Sequence, residues 1–517
     1  MDVIELIERL DRTVKSDLLG AETTKLLRWT FAKNDTGILP DDVLNQAVYQ
    51  RCASYFVNNR RGRQLFAYCL HDSEIDEMRF PDRSSVVEFA GKASPRSFCE
   101  RFGLALAHIG PSADDDRLPF ELVGPTFGQE IRSKGSLHPY QLEMKSRLFN
   151  NYTGIAQRRT LCTMPTGSGK TATLNELLVD IIRCRLFPDT ANFHFTWIVD
   201  SEILAEQSFK SFRSLWQQKG DREIRLNRFY ANFEECHIPD VCSGTFATFT
   251  LAAVRLHPGD FTDHLRKCNL LIIDEAHASN ANTYRQVVEK FLDLNPLGRV
   301  IGLTATPYRP DDAYTDSLRS MFDVVYQITD NGVDVASPIN FLVNHGYLSR
   351  VVFHQLEVEN ALDFGEAYVK KLHESVVDVV REHILHRKRI IVFADSLDQA
   401  VCLKIVLDSF NLESALIFGD TPQITRDVFI SRIANGNDSL SVLINHNILS
   451  KGLDIPGLNS IMILGNMSNP AHALQIIGRA MRGPKNGGNV MNSIYLTPTN
   501  FHYLSSYQSL ESLINIR

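Results

Sequence analysis

Short apolar runs that recur between longer amphipathic stretches set the fold of this chain. TLCTM (160–164), TWIVD (196–200), LLIID (270–274) and VIGLT (300–304) form one series. IIVFAD (390–395), ALIFGD (415–420), VLINHN (442–447), IMILGN (461–466) and SIYLTP (493–498) form a second. Each has the length and apolar density of a strand buried on both faces. Such strands alternating with helix-like sequence predict parallel sheets covered by helices, an α/β fold with two domains in series. A less regular middle, roughly 310–365, separates the two series.

Residues 1–130 have another texture. Val3, Leu6, Ile7, Leu10 and Val14 fall at helical spacing, with acids and Arg9 between them. PDDVLNQAVYQRCASYFV (40–57) repeats the pattern, with Pro40 and Asp41 as its start signal. The expected organisation is a mainly helical domain over 1–130, an α/β domain over 131–330, a connector over 331–365 and a second α/β domain over 366–517. A chain of 517 residues is too long for one ordinary core, in keeping with several domains. Arg60, Arg61 and Arg63 cluster in NNRRGRQLF, as a solvated face or a phosphate contact. Glu88 and Lys92 in PDRSSVVEFAGK (81–92) are too far apart for a nuclease-type carboxylate–x–lysine pair and read as surface.

Composition excludes some classes. A net charge of -7 gives no bulk attraction to nucleic acid, although a local basic groove is unaffected by the total. No run approaches the roughly 20 apolar residues a membrane span needs, and MDVIELIERLDRTVK carries acids where a signal peptide carries bases. The expected setting is the cytoplasm, without membrane association. Nine cysteines are scattered without a paired framework. Cys236, His237, Cys242, His264 and Cys268 suggest a zinc site, but its usual cysteine spacing is missing, so reduced thiols are the expectation.

The strongest local chemistry lies in TLCTMPTGSGKTATLNELL (160–178). An apolar strand runs into Thr166, Gly167, Ser168, Gly169, Lys170 and Thr171, and then into a helical pattern. The glycines let backbone amides turn toward an anion, the helix N-terminus adds its positive end, and Lys170 reaches the outer phosphates. Thr171 is suited to ligate Mg²⁺. Met164 stands where the strict phosphate-loop pattern has glycine. LLIIDEAH (270–277) then puts Asp274 and Glu275 at the end of a buried strand, where parallel sheets carry ligand chemistry. Asp274 suits the metal, and Glu275 the polarisation of an attacking water. His277 is a coupling residue or a local hydrogen-bonder. QIIGRAMR (475–482) puts Arg479 and Arg482 three residues apart, a spacing that shares one face of a helix.

MPTGSGKT (164–171) followed by DEAH (274–277) resembles the helicase superfamily two. GLTATP (302–307) is similar to its third motif, with Thr304 and Thr306 as coupling threonines. WIVDSEILAEQ (197–207) and FATF (246–249) resemble its nucleic-acid backbone contacts, and IIVFAD the motif opening a second motor domain. SKGLDIP (450–456) and QIIGRAMR (475–482) resemble its fifth and sixth motifs. LHPYQLE (137–143) is similar to the upstream motif of restriction-enzyme motor subunits and bacterial DNA repair helicases, with His138 replacing the usual arginine. His446 stands where relatives usually carry threonine.

The resemblance implies two tandem RecA-like domains with ATP and Mg²⁺ between them. Gln141 would recognise adenine, and Gly452 and Asp454 would lie near the nucleotide. Gln475, Arg479 and Arg482 would come from the second domain, the arginines stabilising phosphoryl charge and Gln475 ordering water, so that hydrolysis follows cleft closure. The implied function is an ATP-dependent DNA helicase or translocase in repair, restriction or anti-phage defence, with DNA favoured over RNA. The alternatives are a nucleic-acid-activated ATPase that switches an effector such as a nuclease, docked through the N-terminal domain, and an RNA helicase. GPKNGG (483–488) is left open, with Lys485 either touching nucleic acid or sitting in a plain turn.

Overall fold

A computed structural model describes residues 2–32, 38–109, 118–126, 136–154, 157–184, 193–231, 233, 242–255, 260–276, 281–305, 321–358, 365–436, 438–446, 448, 455, 457–466 and 470–506. The chain divides into two compact units. One comprises 117–348, 469–485 and 507–517; the other comprises 1–116, 349–468 and 486–506.

The first unit is built on an eight-stranded sheet. Its strands are β1 (Phe120–Val123), β2 (Arg159–Thr163), β3 (His194–Val199), β4 (Ile224–Phe229), β5 (Ser243–Thr248), β6 (Leu270–Ile273), β7 (Arg299–Thr304) and β8 (Val324–Tyr326). They run in the order β1-β4-β5-β3-β6-β7-β2-β8, parallel throughout except for β1 against β4. β3 and β6 are buried along their whole length, as strands covered by helices on both faces must be. Phe246 of the FATF stretch packs in β5 against Phe195, Trp197, Phe209 and Phe212, and is core. A two-residue hairpin follows, β9 (Thr329–Asp330) with β10 (Val333–Asp334).

The second unit carries β11 (Arg350–Gln355), β12 (Ile390–Phe393), β13 (Ser414–Ile417), β14 (Val442–Asn445), β15 (Ser460–Ile463) and β16 (Met491–Leu496). Their order is β11-β16-β15-β12-β14-β13, all parallel. The expected α/β architecture, with parallel sheets in both units and a helical N-terminal region, is therefore present.

The N-terminal region starts as two helices, Val3–Arg9 and Arg12–Leu19, rather than one continuous helix through Val14. Asp11 causes the break: its side chain accepts the Thr13 N–H at 2.7 Å and caps the second helix. Helices Ala21–Phe31 and Asp41–Asn58 pack on Glu366–Leu385 and Leu397–Ser409 of the same unit. One hydrophobic core runs from Leu27, Leu44 and Phe56 to Val376, Val401 and Ile405. Asp398 ties the join, accepting from Thr23 and Arg51, while the Arg51 guanidinium also donates to Thr23 Oγ1 at 2.5 Å. Arg63 is buried, donating to the carbonyls of Ala90 (2.9 Å), Val57 (2.9 Å) and Asn58 (3.0 Å), so it separates from exposed Arg60 and Arg61 as an internal tie. Glu88 and Lys92 form an exposed ion pair.

Asp398→Ala removes both polar ties and leaves Arg51 half-buried, and is expected to lower stability by about 2 kcal/mol in urea denaturation. Burial holds His264 near 3 and His373 near 4, below the unfolded value of about 6.5. The unfolded chain therefore takes the proton first. Stability from these two groups is complete above about pH 6.5 and declines as pH falls toward 4. Melts across that window check this, with His373→Gln, which cannot titrate, expected to flatten the decline.

Candidate active site

The end of β2 delivers Met164 into a tight turn. The Met164 N–H donates to Thr304 O at 3.0 Å, which fixes the strand end against β7. Gly167 and Gly169 take left-handed φ of 81° and 84°, conformations that a side chain would strain. Helix Lys170–Cys184 follows at once, so its first amides are exposed to the turn. Lys170 Nζ rests on Met164 O at 3.3 Å, folded back along the loop it serves. Thr171 sits in the first turn of that helix.

Two side chains pin this loop. Tyr140 Oη and Gln141 Nε2 each donate to Ser168 O at 2.8 Å. Gln141 Oε1 also accepts the His138 N–H at 2.8 Å, closing a capping box on helix Pro139–Thr153. Both polar ends of Gln141 are thus engaged with backbone, and a Cβ at Gly169 would stand 2.3 Å from its Nε2. Burial pushes the Tyr140 phenol up, so it stays a neutral donor. Tyr140 lies inside LHPYQLE without a motif role of its own, and only the fold brings it under Ser168.

β6 ends at Ile273 and passes Asp274 and Glu275 into the same region. Asp274 is buried, and its N–H donates to Ile198 O at 2.9 Å. Its Oδ1 accepts the Glu275 N–H at 2.9 Å. Glu275 has φ of 48°, a left-handed conformation that costs a non-glycine residue on the order of 1 kcal/mol or more. Burial first, and then the Glu275 charge, raises the Asp274 pKa, with Lys170 acting in the opposite direction. A buried carboxylate in that state gains from a nearby cation. Among the described residues no cluster of three or more His, Cys, Asp or Glu forms a metal site. Cys236 and His237 lie outside the described residues, and His264 is a core residue, its Nε2 2.7 Å from Thr196 Oγ1, with Cys268 3.3 Å from the same oxygen.

The 475–482 stretch departs from a continuous helix. Helix Pro470–Ile477 gives way to a 3₁₀ turn at Gly478–Ala480, and Arg482 pairs in an antiparallel bridge with Leu348. Arg479 and Arg482 therefore do not share one helical face. The reason is tertiary: Gly478 lies against Thr166, where a Cβ would come within 2.4 Å of Thr166 Cγ2. Gln475 is buried, and Arg479 and Arg482 are half-buried. Segment 469–485 belongs to the same compact unit as the phosphate loop, so Gly478 meets Thr166 and Gly167 within it. His446 lies just beyond β14, its Nδ1 3.5 Å from Ala394 O. His277, Thr306, Gly452 and Asp454 lie outside the described residues.

Residues 134–309 match the family of the res subunit of type III restriction enzymes, and residues 371–484 match the helicase conserved C-terminal domain. The chain is similar to the candidate ATP-dependent helicase IRC3 of Saccharomyces cerevisiae, 24% identical over 343 residues, covering 63% of this chain and 46% of that protein. It is also similar to the candidate mitochondrial ATP-dependent helicase irc3 of Schizosaccharomyces pombe, 26% identical over 357 residues, covering 67% and 55%. The chain spans about half the length of these relatives. The DNA-bound DUF1998 helicase MrfA shares the fold at a TM-score of 0.51 and 15% identity, over 73% of this chain and 50% of that one. Mss116p bound to single-stranded RNA and AMP-PNP does so at 0.53 and 13%, over 72% of each.

Gly169→Ala forces both a strained φ and the displacement of Gln141, and is expected to destabilise by about 1–3 kcal/mol. Gly419→Ala, where a Cβ meets nothing within 4 Å and φ is not left-handed, is the control and should leave the melting temperature nearly unchanged.

Proposed function

The chain belongs to the superfamily-two helicases of the restriction-motor type, and from that premise we propose an ATP-dependent translocase or helicase that moves on DNA. The observation that carries this reading is the buried Asp274, followed by the half-buried Glu275 and beside Lys170, at the end of a parallel sheet. The donor set fits a nucleotide with its metal: left-handed glycines, a helix start, a lysine, and a buried carboxylate whose charge is disfavoured without a cation. When bound, ATP supplies the phosphoryl group and Mg²⁺ offsets its charge.

The chain's own residues then have distinct tasks. The Gly167–Thr171 amides and Lys170 hold the outer phosphates, while Thr171 and Asp274 hold the metal. Glu275 accepts a proton from the attacking water, and Gln475 orients that water. Arg479 and Arg482 stabilise charge on the transferring group, an effect worth roughly 10³–10⁵ in rate when a single arginine supplies it. Gln141 orders the phosphate loop through Ser168, and its amide still has a second N–H and a second oxygen lone pair with which to read adenine. Gly452 and Asp454 complete the nucleotide contacts in this reading.

DNA is favoured over RNA by LHPYQLE and by the match of 134–309 to a restriction-enzyme subunit. Repair, restriction and anti-phage defence are the roles that fit such a motor. The cytoplasm fits the cysteines, which form no disulfide among the described residues. Among those residues no helix is long and apolar enough to cross a membrane. A second reading, an ATPase that switches an effector without unwinding, draws on the core shared by the N-terminal helices and the second sheet. A partner bound to those helices would act directly on that α/β domain.

Hydrolysis assays with matched DNA and RNA test the substrate, with stronger stimulation by DNA expected. Arg479→Ala and Arg482→Ala should each lower turnover by at least about 10³ while leaving ATP binding within a few-fold. Lys170→Ala should weaken both. Wild-type turnover in the arginine variants would remove their assignment. Hydrolysis and translocation without strand displacement would favour a translocase, and hydrolysis with neither would favour the switch.

A further inference from the structure

The stretch GPKNGG after the arginines is ordered by contacts that serve neither sheet. The Gly483 N–H donates to Tyr347 O at 3.2 Å, and the Lys485 N–H to Gly346 O at 3.0 Å. With the Leu348–Arg482 bridge, these make a short backbone zipper between 346–348 and 482–485. Gly483 admits no side chain: a Cβ would lie 2.6 Å from Gly346 O, 2.6 Å from Tyr347 C and 2.7 Å from Leu348 N, all of them backbone. At the other end of the arginine pair, Gly478 presses on Thr166, and its carbonyl lies 3.3 Å from where a Cβ on Gly167 would stand. Arg479 and Arg482 thus sit on a span of chain pinned at both ends.

Side chains extend the zipper to the phosphate loop. Lys485 Nζ lies 4.4 Å from the centroid of the Tyr347 ring. That ring packs against Tyr140 at 4.9 Å and His138 at 4.6 Å, and Tyr140 donates to Ser168 O. A lysine seated on a ring face gains by cation–π attraction. A phosphate contact would compete with that seat.

We propose that the Gly346–Leu348 turn is a latch that seats the arginine span on the phosphate loop. Lys485, acting through Tyr347, is then a positioning residue for ATP hydrolysis and not a nucleic-acid contact. The proposal rests on the hydrolytic reading of the site. It makes Gly483 and Tyr347 determinants of turnover without direct contact to the nucleotide.

The test compares Gly483→Ala, Lys485→Ala, Lys485→Arg, Tyr347→Leu and Tyr347→Phe in the full chain. Turnover is measured at saturating ATP and single-stranded DNA, binding with a non-hydrolysable ATP analogue, and DNA affinity across a salt series. Gly483→Ala and Tyr347→Leu should lower kcat about tenfold or more, with analogue binding within about twofold of wild type. Lys485→Ala should lower kcat about two- to fivefold, the size of an exposed cation–π contact. Lys485→Arg and Tyr347→Phe should restore it, and the salt slope of DNA binding should not move. Unchanged kcat in Lys485→Ala with a salt slope shallower by about one overturns the proposal in favour of a phosphate contact. Wild-type kcat in both Gly483→Ala and Tyr347→Leu also overturns it. Thermal melts run beside the assays, and the tyrosine pair keeps the test sound if the glycine variant fails to fold. Arg479→Ala and Arg482→Ala run in parallel: if they are inactive while the latch variants are normal, only the latch fails, whereas normal turnover in the arginine variants removes the hydrolytic assignment beneath it.

Discussion

Parallel pairing of β6, β7 and β2 side by side is the constraint on which the rest of the site depends. Because the three strands run the same way, Ile273, Thr304 and Thr163 end at the same edge of the sheet. The Met164 N–H to Thr304 O bond continues the pairing one step past β2, and the Ala276 N–H to Leu303 O bond ties the turn three residues past β6 back to β7. These bonds hold the phosphate loop and the Asp274–Glu275 turn at fixed positions beside each other. An antiparallel arrangement would have put one of the two at the opposite edge.

Polar groups in that edge are held by backbone partners more than by one another. Ser168 O receives two donors, Gln141 bridges its own helix start to the loop, and Asp274 caps the Glu275 amide. Backbone partners of this kind fix side-chain positions in advance, which lowers the reorganisation a ligand demands. The acids carry the reverse property. Burial and mutual repulsion disfavour charge on Asp274, so the site's electrostatics favour a bound cation.

The N-terminal helices extend the same logic of burial to the second sheet. Leu27, Leu44 and Phe56 share a core with Val376 and Val401, and Asp398 joins Arg51 and Thr23 at the boundary. A region contiguous in sequence is thereby part of an α/β unit that resumes only at Ser349. Any ligand of those helices acts on a surface whose underside is the second sheet's own covering layer.

Periodicity and motif order were enough to locate the parallel sheets, the glycine turn from Thr166 to Thr171 ahead of its helix, and the acids at 274 and 275 just past a strand end. Each depends on local spacing: strand-length apolar runs, glycines beside a helix start, and carboxylates at a strand end. β4 and β5 were harder to see, since IRLNRF and SGTFAT mix polar residues into buried strands. The helical reading of 475–482 failed at Gly478, where close approach to Thr166 and pairing with Leu348 outweigh the helical pattern. Tyr140 on Ser168, Tyr347 under Lys485 and the grouping of 469–485 with the phosphate loop belong to the tertiary structure alone. Their partners lie from 28 to more than 300 residues away in sequence, and no local pattern encodes a contact at that distance.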